Sequence, residues 1–107
     1  MVRPGVHPLY VVHPGDELLQ DVWVQGEISN YTRATSGHIY LTLKDAEAAL
    51  RCVIWRTTAA HLPIALQSGM AIEAHGAISV YERDGAYQLH IDAVRPAGEG
   101  ALFQAFL

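Results

Sequence analysis

Rings and cations recur at alternate positions in the middle of the chain. His38, Tyr40, Thr42 and Lys44 form one such run, and Arg51, Val53 and Trp55 form the next. A period of two marks one face of a strand. Exposed tyrosine and tryptophan beside cations can stack flat heterocycles, at about 1–3 kcal/mol per ring, while the cations hold phosphates. Arg33 and Ser36 precede the first run, and Tyr81, Arg83 and Tyr87 follow at what read as strand and loop ends. A purely structural account competes. Tyr and Trp suit pleated surfaces, so Tyr40 could be a cross-strand packing partner and Trp55 a cap on the end of the core.

Other chemistry finds less support. Histidines stand at 7, 13, 38, 61, 75 and 90. None pairs with another at i+3 or i+4 on a helix, so neither a metal site nor any other cofactor is expected. Cys52 falls on the inward side of its strand and reads as a small core residue, not a nucleophile. The close carboxylates Asp45 with Glu47 and Glu82 with Asp84 lie in turns, where acids serve local hydrogen bonding. Gly98-Glu99-Gly100 has no preceding strand and no further glycine pattern to cradle a phosphate. With no acid–base or metal constellation, intrinsic catalysis is the least supported class.

The 107 residues carry a net charge of −4, unlike a generic basic nucleic-acid binder. The charge is unevenly spread. The span from Arg33 to Arg56 sums to +2 and the remainder to −6. A basic stripe on an acidic body could attract phosphate at short range, but on charge alone an ordinary solvated surface is the better explanation until a fold places the stripe. One cysteine fits a reducing compartment, the cytoplasm. No apolar run reaches membrane-spanning length and no secretory signal pattern opens the chain.

These residues must be positioned by a small all-β domain. Residues 1–20 contain Pro4, Gly5, Pro8, Pro14 and Gly15 and read as an irregular lead-in. From Asp21, Val22, Val24, Gly26 and Ile28 alternate with Trp23, Gln25, Glu27 and Ser29, with Gly26 a bend or bulge. Asn30 to Gly37 reads as a loop. A second strand points Ile39, Leu41 and Leu43 inward, and a third points Leu50, Cys52 and Ile54 inward. Thr57 to Leu66 has helical spacing interrupted by Pro63. A fourth strand spans about Met70 to Tyr81, kinked at Gly76. Arg83-Asp84-Gly85 forms a hairpin turn, and a fifth strand runs from Tyr87 to Val94. Three strands, a short helix and two strands is the order of a five-stranded OB-fold Greek-key barrel over residues 21–97. Residues 98–107 begin a helix whose apolar face is Leu102, Phe103 and Phe106.

Several separated motifs occur in order: Val22-Trp23-Val24-Gln25-Gly26-Glu27-Ile28-Ser29-Asn30, Ser36-Gly37-His38-Ile39-Tyr40-Leu41-Thr42-Leu43-Lys44-Asp45, Leu50-Arg51-Cys52-Val53-Ile54-Trp55-Arg56, and Pro96-Ala97-Gly98-Glu99-Gly100-Ala101-Leu102. Over about residues 21–107 the chain resembles the large-subunit family of exodeoxyribonuclease VII. The resemblance implies an amino-terminal OB-fold that binds single-stranded DNA, followed in the family by a catalytic domain and a helical region on which small subunits assemble. It implies a cytoplasmic parent enzyme that degrades single-stranded DNA, and a non-catalytic fragment here. Motif match combined with face geometry would put the DNA contacts on Ser29, Asn30, Ser36, His38, Tyr40, Lys44, Arg51, Trp55, Tyr81 and Tyr87, with Arg33 and Arg83 beside them.

Two other functions stay open. The barrel could be a docking module between domains or subunits with little DNA affinity of its own. It could also be an anticodon-binding barrel of the synthetase type, whose second strand Gly37 to Asp45 also resembles.

Overall fold

The computed structural model describes residues 6–9, 21–81 and 86–97. The element order is β1 (Val6–Pro8), β2 (Val22–Arg33), β3 (Ile39–Lys44), β4 (Ala49–Ile54), α1 (Arg56–Ala59), β5 (Ala71–Tyr81) and β6 (Ala86–Pro96). The strands hydrogen-bond in the order β1-β2-β3-β4-β6-β5, and a further pairing of β2 with β5 closes β2 to β6 into a five-stranded barrel. Pairings are antiparallel except β1 with β2 and β4 with β6.

Alternation drives the closure. Val22, Val24 and Ile28 of β2, Ile39, Leu41 and Leu43 of β3, and Leu50, Cys52 and Ile54 of β4 all enter one core, together with Ile72, Ala74, Leu89, Ile91 and Val94. Each fully buried aliphatic chain of this kind contributes about 1.5–3 kcal/mol. Gly26 sits where β2 exchanges partners. Residues up to Glu27 pair with β5, and residues from Glu27 onward pair with β3. A Cβ at Gly26 would stand 3.1 Å from Leu43 Cβ and 3.3 Å from the Lys44 backbone, so a side chain there would push the crossing strands a few tenths of an ångström apart.

Three features differ from the sequence expectation. Residues 30–33 continue β2 instead of forming a loop. A register shift between Ser29 and Thr32 introduces a bulge, with Asn30 in the left-handed region at φ 53°, and pairing resumes at Thr32 with Tyr40 and Arg33 with Ile39. Asparagine tolerates that conformation better than most residues. Within the lead-in, Val6–Pro8 adds a sixth strand along Trp23 to Gln25, and Val6 and Leu9 are buried. The helix is one turn, with no side-chain cap at Trp55. After it, Leu62, Ile64 and Leu66 pack on the core without helical structure.

Gly76 marks the expected kink. The β5–β6 register shifts between His75 and Gly76, leaving Asp92 as the extra residue between Ile91 and Ala93. The hairpin tip at Arg83-Asp84-Gly85 and the helix start at 98–107 lie outside the described residues. No described helix is long and apolar enough to cross a membrane.

Candidate nucleic-acid interface

The outer face of β3, β4 and β6 is laid out in rows by register. Tyr40 pairs with Val53, and Val53 with His90. Two residues along, Thr42 pairs with Arg51, and Arg51 with Gln88. A groove of about 360 Å³ opens on this face, lined in part by Asn30, Tyr40, Thr42, Arg51, Tyr87 and Gln88. Tyr40, Trp55 and Tyr87 are the exposed large hydrophobic residues among those described, at 42%, 43% and 37%. Rings left this open on a strand face are surfaces for stacking.

Trp55 follows β4 and is the N-cap residue of α1. His38 meets it edge-on, with centroids 5.0 Å apart at 87°, and His90 tilts against it at 5.7 Å. The backbone N–H of Arg56 donates to His38 Nδ1 at 2.9 Å, so that nitrogen carries its lone pair and fixes the ring's orientation. Ser79 Oγ and His90 Nε2 are hydrogen-bonded at 2.9 Å. The indole is thus flanked by two imidazoles that are each held by a hydrogen bond.

Val53, expected outward and exposed, does point to this face but is fully buried and lies outside the core cluster. Its register neighbours are Tyr40 and His90, so it lies beneath the ring layer instead of contributing open surface. Tyr87 shares its parity with the inward residues Leu89 and Ile91. It is nonetheless exposed, because it lies at the start of β6, beyond the packed interior.

The structure therefore gathers Asn30, Tyr40, Arg51 and Tyr87 around the groove, with His38 and Trp55 further along the same face. Ser29 turns its hydroxyl to the Thr42 carbonyl at 3.5 Å. Arg33, Ser36 and Lys44 are exposed but do not line the groove. Ser36 lies in a tight loop closed by the Gly37 N–H donating to the Ala34 carbonyl at 2.9 Å. The Tyr81 backbone ends β5, its side chain is outside the described set, and Arg83 lies outside the described residues altogether. Gln88 and His90 were missed as site residues. The signal was their outward parity on the last strand, together with the OB-fold order that lays this strand beside β4.

A second polar cluster occupies the β2–β5–β6 side. His75 Nδ1 contacts Asp92 Oδ1 at 2.5 Å, and its Nε2 meets Asp21 Oδ1. Burial opposes charge on this imidazole, but hydrogen bonds and charge from Asp92 and Asp21 outweigh it and raise the pKa above the ordinary 6.5. Arg95 lies over the Trp23 ring at 3.8 Å and donates to Glu73 Oε1 at 2.5 Å. Burial pushes the Cys52 thiol up to about 12, against a smaller opposing hydrogen bond from the Leu43 backbone. Asp45 Oδ1 accepts the N–H groups of Glu47 and Ala48, both at 2.8 Å, which occupies that carboxylate in the β3–β4 turn. Among the described residues, no three His, Cys, Asp or Glu side chains form a group that could hold a metal ion.

Residues 10–95 match the family described as OB-fold nucleic acid binding domain. Over 91 residues the chain is 47% identical to the exodeoxyribonuclease 7 large subunit of Pseudomonas fluorescens SBW25, covering 85% of this chain and 20% of that protein. The exodeoxyribonuclease 7 large subunit of Stutzerimonas stutzeri A1501 matches at the same identity and coverage. The chain thus spans about a fifth of the length of these curated relatives. Among solved structures, asparaginyl-tRNA synthetase from Entamoeba histolytica superposes with a TM-score of 0.70 at 15% identity, covering 92% of this chain and 24% of that one. Asparaginyl-tRNA synthetase from Pyrococcus horikoshii gives 0.63 at 17%, covering 85% and 22%. At such identities these superpositions report the fold alone.

Proposed function

The chain belongs to the family of OB-fold nucleic acid binding domains, and from that premise we propose that its β3–β4–β6 face binds single-stranded DNA. The observation that carries the reading is the meeting of Tyr40, Arg51 and Tyr87 around one open groove. Bases stack on the tyrosines and on Trp55, beside the Arg51 cation. Arg33 and Lys44, exposed at the strand ends, extend the cationic track. Ser29, Asn30, Ser36 and His38 border it, and the sequence adds Tyr81 and Arg83, whose side chains lie outside the described set. Similarity to the exodeoxyribonuclease 7 large subunit supports DNA as the ligand, and the open stacking rings favour a single strand, whose bases are free to stack. In the cytoplasmic parent enzyme, the domain presents the strand to a catalytic domain of the same subunit. Small subunits complete the assembly, and this module contributes no cofactor and no bond cleavage.

The test is fluorescence titration of the Trp23→Phe variant, whose remaining indole is Trp55, with single-stranded and double-stranded DNA and single-stranded RNA. Single-stranded DNA should quench Trp55 most strongly. The affinity should fall with salt at a logarithmic slope of about −0.7 per phosphate neutralised. Tyr40→Ala should weaken binding about 5- to 150-fold. Stronger binding of RNA would favour an anticodon-type role. No response to any nucleic acid, or an unchanged Tyr40→Ala, would refute the proposal in favour of a docking module.

A further inference from the structure

We infer that the groove between Tyr40 and Tyr87 reads the base of one nucleotide and selects a purine through its N7 edge. Stacking on rings beside a cation is tolerant of sequence and has no use for carboxamides. This groove has two, Asn30 and Gln88, together with the Thr42 hydroxyl and the Arg51 guanidinium. They are placed by backbone geometry. Thr42, Arg51 and Gln88 are register partners in one row across three strands, and Asn30 is positioned by the β2 bulge at φ 53°. A carboxamide offers a donor and an acceptor side by side, the complement of adenine N6 and N7. A guanidinium complements guanine O6 and N7. The acceptor common to both bases is N7, which pyrimidines lack. At about 360 Å³ the groove lies at the small end of ligand pockets, about 300–1,000 Å³, which suits one nucleotide and not a run of them.

This inference rests on the proposed nucleic-acid role, and the experiment separates the two. The 107-residue chain is titrated with an all-thymidine oligonucleotide, with the same oligonucleotide carrying one central dA or dG, and with its 7-deaza counterpart. The purine strands should bind about fivefold or more tightly than all-thymidine, and replacing N7 by carbon should abolish the gain. Gln88→Ala should lose the adenine preference, and an unchanged far-UV circular dichroism spectrum and melting temperature show that the variant is folded. Equal affinity for all strands, or a preference that survives 7-deaza substitution, overturns base reading and leaves the binding proposal standing. Failure of every strand to bind overturns both.

Discussion

Gly76→Ala places a methyl group where β6 already passes. The new Cβ would lie 1.9 Å from the His90 carbonyl oxygen, 2.8 Å from its carbon and 3.1 Å from Ile91 Cα, where ordinary contact begins at 3.4 Å. All three obstacles are backbone atoms of a strand paired on both sides, to β4 and β5, so no side chain can swing aside to make room. Overpacking of this severity costs about 3 kcal/mol or more. Restriction of the unfolded chain returns about 0.4–1 kcal/mol. The net loss of about 2–3 kcal/mol is large beside a domain stability of about 5–15 kcal/mol. It should lower the melting temperature by about 10–20 °C. The displaced segment includes His90, which packs against Trp55, so affinity for single-stranded DNA should fall as well. Urea and thermal unfolding followed by far-UV circular dichroism measure the first effect, and Trp55 titration the second. Gly26→Ala provides a graded comparison. Its nearest neighbours would stand at 3.1–3.3 Å, and its cost should be near 1 kcal/mol, the low end of overpacking. A Gly76→Ala variant within 1 kcal/mol of the parent, or milder than Gly26→Ala, would refute the close-approach account of the bulge.

His75 has a folded pKa raised above 6.5 by Asp92 and Asp21, so its ion pairs stabilise the fold below about pH 6.5 and lose that effect as pH rises through the folded value. The penalty of His75→Gln should therefore be larger at pH 6 than at pH 9, and equal penalties in denaturant titrations would argue against the charged bridge. Arg95→Met removes a charged partner of fully buried Glu73 and uncovers Trp23. It should cost about 3 kcal/mol and red-shift the indole emission, with Glu73→Gln/Arg95→Met less damaging than the single change. Cys52, with its thiol at about 12, should resist Ellman's reagent at pH 8 until denaturant opens the barrel; rapid labelling of native protein would contradict its burial.

The barrel was legible in the sequence because the first half of β2, β3 and the start of β4 alternate and because Gly26 and Gly76 mark where the chain bends. The second half of β2 was not, since Asn30, Thr32 and Arg33 are polar on both sides of a bulge and leave no period of two. Tyr40, Arg51 and Trp55 could be placed on one face by parity alone. Burial of Val53 could not, because it depends on neighbours from two other strands. The His75 cluster was hidden for a related reason: its partners lie 17 and 54 residues away, and Asp92 reaches the ring only through the bulge opposite Gly76.

The short strand β1 has a consequence for association between molecules. In its first half, β2 gives one side to β5 and the other to Val6–Pro8, through the register Val6↔Trp23 to Pro8↔Gln25. Without that cover, the amides and carbonyls around Val24 would form a bare sheet margin able to recruit another polypeptide. Proline at the last position of the covering strand has no amide hydrogen to continue the ladder. This margin of the first half of β2 is thus covered by three residues, and a chain lacking residues 1–9 should be prone to edge-to-edge aggregation.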